Sequence, residues 1–140
     1  MSETTLDKAT RSDHDRAPFF CIQTCIEVAL QGKRLVYNTE RELHELLEDL
    51  LPTVGVQAVR EYRLAPGERP DFFIESSGIA IEVKTKGGID AHLRQMKRYA
   101  DHDSVRGVLL ITNGSVPDDL PLTLGGKPIA AICIAWGSLL

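Results

Sequence analysis

The chain has no apolar run close to the roughly 20 residues needed to cross a bilayer, so no helical membrane anchor is expected within these 140 residues. Residues 1–16 are polar and charged and lack the apolar stretch of a secretory signal, so a cytoplasmic protein is expected. Cysteine is scarce. Cys21, Cys25 and Cys133 cannot all pair, and the first two are not spaced as a C-x-x-C ligand pair. Free, buried thiols are expected rather than a zinc or iron–sulfur centre. The four histidines are scattered and suggest no ligand spacing. Basic excess is also missing: 16 Lys and Arg against 20 Asp and Glu give a net charge of −4. That balance argues against purely electrostatic coating of nucleic acid, while leaving room for a local basic face or a cluster of carboxylates.

What is present suits an ordinary globular domain, with 43% hydrophobic and 26% charged residues. Residues 1–17, poor in apolar side chains, read as a flexible tail, and residues 18–140 as a single domain. The apolar stretch 19–30 fits either a buried helix or a strand, helix being preferred. Leu43, Leu46, Leu47, Leu50 and Leu51 recur at helical spacing behind Thr39 and Glu42, which fit a capping box, and Pro52 follows as a stop.

Residues 54–64 alternate and are rich in β-branched types, which predicts a strand. Two short strands, 71–75 and 79–84, are separated by the Ser76-Ser77-Gly78 turn. Gly87-Gly88 breaks that pattern, and Ile89, Leu93, Met96 and Ala100 predict a helix over 89–101. Apolar runs at 107–112 and 129–136 predict buried strands, joined by a Pro- and Gly-rich loop. The strand–helix–strand passage implies a parallel crossover, so the expected class is α/β, a mixed sheet covered by helices.

Chemistry concentrates on the short hairpin. Residues two apart in a strand share a face, so Glu82 and Lys84 project together. The tight turn makes the two strands neighbours, which brings Asp71 beside Glu82. Two carboxylates and an ammonium on one sheet edge suit phosphodiester cleavage with a hard divalent cation, which needs few protein oxygens beside its waters and the substrate phosphate.

Pro70-Asp71, ten intervening residues and Glu82-Val83-Lys84 resemble the PD-(D/E)xK nuclease superfamily. The surrounding elements, over roughly residues 39–112, match that family's helix, three strands, helix and strand. The resemblance implies a restriction-endonuclease-like fold of core order αβββαβ and hydrolysis of DNA with Mg²⁺ or Mn²⁺. The cleavage it implies is structure-directed or weakly sequence-specific, as in DNA repair, recombination or processing. It further implies Asp71, Glu82 and the Val83 carbonyl as metal ligands and Lys84 as the catalytic lysine. Glu40, on the interior stripe of the first core helix, matches the position of a further metal-facing glutamate, while Glu42 is committed to the cap.

Gln95 and Tyr99, four apart on one helical face, resemble the Q-x-x-x-Y motif of the RecB-like branch, whose members use the pair to position phosphate or water. Lys86, Arg94, Lys97 and Arg98 form a local basic patch for a DNA backbone, and His92 lies on the same side of the helix as a bystander. Glu61 and Arg63 fit either groups that support the site's ligands from behind or a plain cross-strand ion pair, the ion pair being preferred. Small members of the superfamily often dimerise, and residues 129–140 are the expected interface of a homodimer. The alternative reading is a non-catalytic nucleic-acid-binding or assembly module that keeps the fold; the intact Asp71, Glu82 and Lys84 speak against it, the acidic balance mildly for it.

Overall fold

A computed structural model describes residues 3–31 and 33–134 of the chain. Helix α1 (Glu3–Leu30) starts well before Pro18 and runs through it, so it takes in much of the stretch whose composition reads as a tail. Low apolar content rules out burial of a segment but not its helicity. Beyond Pro18, Phe19, Ile26 and Ala29 are buried. Cys21 and Cys133 are exposed and Cys25 half-buried, all three unpaired. The free state matches expectation and the burial does not, since Cys21 sits on a side of α1 turned from the core.

Helix α2 (Glu40–Leu50) begins at the expected capping box. Thr39 Oγ1 accepts the Glu42 N–H at 3.2 Å, and Glu42 reaches back to accept the Asn38 N–H at 2.8 Å. Such a cap contributes about 1 kcal/mol and leaves Glu40 uncommitted to it. Leu43, Leu47 and Leu50 form the buried stripe. Pro52 does not end the helical path at once, because a 3₁₀ turn, Leu51–Val54, tightens the chain before Gly55 closes it at φ 76°.

The strand expected over 54–64 shrinks to β1 (Val59–Arg60). Its alternation is overridden on both sides, by the 3₁₀ turn before it and by Glu61, which takes the left-handed φ of 52° after it. Strands β2 (Phe72–Ile74) and β3 (Ile79–Lys84) form the expected antiparallel hairpin, with Phe72 opposite Ile81 and Ile74 opposite Ile79. Helix α3 (Ile89–Ala100) then returns the chain to β4 (Gly107–Thr112), which lies parallel to β3 with Lys84 opposite Thr112. The loop beyond holds a short strand, β5 (Thr123–Leu124), antiparallel to β6 (Lys127–Cys133), and β6 is parallel to β4. The sheet is therefore mixed, in the order β1-β2-β3-β4-β6-β5.

Period-two alternation sorts this sheet into two cores. One face carries Phe72, Ile74, Ile79, Ile81, Val83, Leu109 and Ile111 against α1, α2 and the 3₁₀ turn. The other carries Phe73, Ala80, Val108 and Leu110 against Met96, Tyr99 and Ala100 of α3. The result is a three-layer α/β arrangement, and from α2 to β4 the elements run helix, three strands, helix, strand, as expected. Strand β6 lies inside the sheet, between β4 and β5; the remainder of the expected dimer interface, 135–140, lies outside the described residues. Among the described residues no helix is long and apolar enough to cross a membrane.

Candidate metal centre

Asp71 stands at the mouth of the hairpin, one residue before β2. Its Oδ2 accepts the Val83 backbone N–H at 2.7 Å, a bond that locks the carboxylate across the end of β3. Val83 thus enters the site through its backbone, while its side chain is fully buried in the core beneath α2. The backbone oxygen of Asp71 accepts the Glu61 N–H at 3.0 Å, which is where the left-handed turn at Glu61 acts. Glu61 and Arg63 form no ion pair with each other among the described residues; Arg60 pairs instead with Glu48 at 2.7 Å.

Alternation sends Glu82 and Lys84 to the face that α3 covers, as the E-x-K spacing implies. Glu82 is 3% exposed, and the Lys84 ammonium lies 3.9 Å from its Oε1. Burial first, and then the adjacent Asp71 carboxyl, push the Glu82 pKa up to about 9, against the opposing pull of Tyr99 and Lys84. A buried carboxyl beside a second one resists ionisation, and here that carboxyl is Glu82. Glu82 Oε2 is buried with no hydrogen-bond partner.

Helix α2 supplies the other half of the centre. Glu40 and His44 are one turn apart, and His44 Nε2 lies 3.8 Å from Glu40 Oε1 and 3.6 Å from Asp71 Oδ2. Its ring packs edge-on against Phe72, centroids 6.2 Å apart. Donor atoms of Glu40, His44 and Asp71 all lie within 4.8 Å of one another and can hold a metal ion. Ligands about 2.1 Å from an octahedral ion stand roughly 3 Å apart when adjacent and about 4 Å apart when opposite, so the present spacings need little adjustment. His44 Nε2 is also buried without a hydrogen-bond partner. Two orphaned polar atoms, one on each side of Asp71, fit a centre shaped for a cation, because an unpaired buried acceptor otherwise costs about 1–3 kcal/mol.

His44 is the ligand candidate that sequence reasoning missed. Its signal was the i, i+4 spacing from Glu40, on the helix already placed beside the hairpin.

Helix α3 brings its polar pair to the same place. Gln95 Nε2 donates to the Tyr99 hydroxyl at 2.9 Å, and that hydroxyl donates to the Arg69 carbonyl at 3.2 Å. Tyr99 is buried, and burial together with the Glu82 carboxyl raises its pKa. His92 is not on the periphery. It is 8% exposed, lies over Gly87, and has its pKa lowered by burial and by Lys84.

The expected stripe of α3 packs on the sheet, Met96 and Ala100 buried and Ile89 and Leu93 partly so, and His92 and Tyr99 turn inward beside it. Of the basic set, Arg94, Lys97 and Arg98 are exposed on α3, Lys97 being paired with Asp101 at 3.4 Å. Lys86 stands apart, lining a cleft of about 330 Å³ with Tyr37, Asn38, Thr39, Glu40, Thr85 and Asn113.

No protein-family model matches the chain, and no curated protein or solved structure shows significant similarity to it. The site's own geometry carries its reading.

Proposed function

We propose that the protein is a metal-dependent DNA nuclease of the restriction-endonuclease-like fold. The observation that carries this reading is the position of Asp71, which joins two donor sets: Glu40 and His44 on α2, and Glu82 with Lys84 on β3. The order of elements from α2 to β4, and the parallel crossover through α3, support the fold.

In this reading Asp71, Glu40, His44, Glu82 and the Val83 carbonyl hold the cation. A bound divalent ion supplies charge neutralisation at the phosphate and acidifies a water. Lys84 holds the attacking water by its ammonium and stabilises charge that grows on the phosphoryl oxygens. The water oxygen bonds to phosphorus as the bond to the leaving sugar oxygen breaks, the water giving a proton to solvent and the leaving oxygen taking one from it. Gln95 and Tyr99 orient the scissile phosphate from α3, and His92, uncharged beside Lys84, walls off that side.

An imidazole among the ligands bears on the choice of ion. Mg²⁺ takes oxygen ligands almost exclusively, whereas Mn²⁺ accepts nitrogen, so Mn²⁺ is the better cofactor at a centre that includes His44. Arg94, Lys97 and Arg98 follow the DNA backbone along α3; at a net charge of −4 this binding is modest and salt-sensitive. A homodimer would set two such centres on opposing strands.

The test is cleavage of supercoiled, linear, single-stranded and branched DNA with Mn²⁺ or Mg²⁺ beside a Lys84→Ala control. Metal-dependent cutting that the control loses supports the nuclease. Absence of cutting, together with absence of metal binding by calorimetry, would leave the non-catalytic module.

A further inference from the structure

The cleft that Lys86 lines is separate from the hairpin yet shares a wall with the metal centre, because Glu40 belongs to both. Its position follows from the topology. Thr85 and Lys86 directly follow the last residue of β3, and Asn113 follows the last residue of β4, two parallel strands in register at Lys84 and Thr112. Open α/β sheets bind their ligands beyond such carboxyl ends. The opposite wall is the approach to α2, from Tyr37 to Glu40.

The lining is built for hydrogen bonding. Among the described residues, no hydrogen bond or ion pair occupies the side chains of Asn38, Thr85, Lys86 or Asn113. The Tyr37 ring is 6% exposed, and its hydroxyl is buried with no partner. Thr39 is the exception, its oxygen being taken by the helix cap. The cleft therefore offers one cation, two carboxamides and the Thr85 hydroxyl with unmet hydrogen-bonding capacity, beside the Glu40 carboxylate. At about 330 Å³ it falls at the small end of the roughly 300–1,000 Å³ range of small-ligand sites. That is room for one nucleotide, not for stacked base pairs.

We infer that this cleft receives a single unstacked nucleotide of the substrate strand, next to the scissile phosphate. Lys86 meets the neighbouring phosphate, and Asn113, Asn38 and Thr85 meet sugar and base edges. The inference rests on the nuclease reading and narrows its substrate to strands with an unpaired nucleotide, since a paired base must leave the stack to enter.

The test is calorimetric titration of the full chain with a 5′-deoxynucleoside monophosphate, with Mn²⁺ and with chelator, against inorganic phosphate alone. The variants are Lys86→Ala and Asn113→Ala, both altering side chains outside the core. The nucleotide is expected to bind more tightly than phosphate, and each variant to weaken it about tenfold, the loss of one charge-assisted or well-aligned hydrogen bond. Mn²⁺ affinity is expected to stay at the wild-type value in both. Nucleotide binding no tighter than phosphate, or equal binding by the variants, overturns the inference.

DNA cleavage measured on the same samples separates the two ideas. Cutting without nucleotide binding removes the cleft assignment alone. Nucleotide binding without cutting under any metal removes the nuclease reading and with it the substrate role, leaving only a nucleotide site.

Discussion

The Oδ2 of Asp71 lies 3.6 Å from the Nε2 of His44, two residues 27 positions apart in a 140-residue sequence that the hairpin and α2 bring together. A carboxylate and an imidazole at that separation, with the ring nitrogen buried and lacking a hydrogen-bond partner, form one side of a cation site.

Replacing His44 with Ala is expected to lower Mn²⁺ affinity by at least tenfold while changing Mg²⁺ affinity less, because only Mn²⁺ gains from the nitrogen. Metal-free stability should fall only through the ring's lost packing on Phe72, since Nε2 makes no hydrogen bond. Titration of both ions by calorimetry, with thermal melts in chelator, checks it. Equal losses for the two ions would show that the ring contributes only packing.

The raised Glu82 pKa gives the metal-free protein a pH signature. Between the ordinary carboxyl value of 4.5 and the folded value of about 9, the unfolded chain has released this proton and the folded chain retains it. Stability from this group is therefore complete below about pH 4.5 and falls as pH rises towards 9. Urea unfolding at pH 5, 7 and 9 in chelator should show the decline, and Glu82→Gln should flatten it. A slope unchanged in the variant would place its origin elsewhere. Cation binding should also release a proton across this window.

Tyr99→Phe removes the hydroxyl that joins Gln95 to the Arg69 carbonyl. If the pair orients phosphate, cleavage should fall about tenfold, the worth of roughly one hydrogen bond, with Mn²⁺ affinity retained. Single-turnover cleavage beside a metal titration separates these. A parallel loss of metal binding would assign Tyr99 to holding Glu82 in place.

Gly107 tests the α1 layer. A Cβ there would meet the Phe19 ring at 2.4 Å and 2.8 Å, and Phe19 is 2% exposed. Gly107→Ala should destabilise the fold by about 1–3 kcal/mol, the usual cost of overpacking a filled core. Chemical denaturation measures it, and an unchanged midpoint would mean that α1 does not bear on β4.

The hairpin was legible in the sequence because its signals are local: period two, a Ser-Ser-Gly turn and short spacing place Asp71 opposite the Glu82 region without tertiary knowledge. The cap at Thr39, the helix α3 and the parallel crossover were legible for the same reason. The strand expected over 54–64 is cut to Val59–Arg60 because alternation says nothing of φ, and Glu61 bends away in the left-handed region to present its N–H to Asp71. The inward turn of Tyr99 and His92 was hidden because an apolar count along the helix does not register polar side chains that pack against the sheet. His44 is less legible because the i, i+4 spacing to Glu40 is common on any helix, and its third partner, Asp71, lies 27 positions on and on another element. The cleft of Tyr37, Lys86 and Asn113 joins three separate loops, which no local pattern connects.

The most direct measurement is Mn²⁺ binding to the wild-type chain and to Asp71→Asn, by calorimetry with paramagnetic resonance on the same samples. Asp71 belongs to both donor sets, so wild type should bind the ion and the variant should lose affinity by about a hundredfold or more while remaining folded. Equal binding by the two proteins, or none by the wild type, would contradict a metal centre at Asp71.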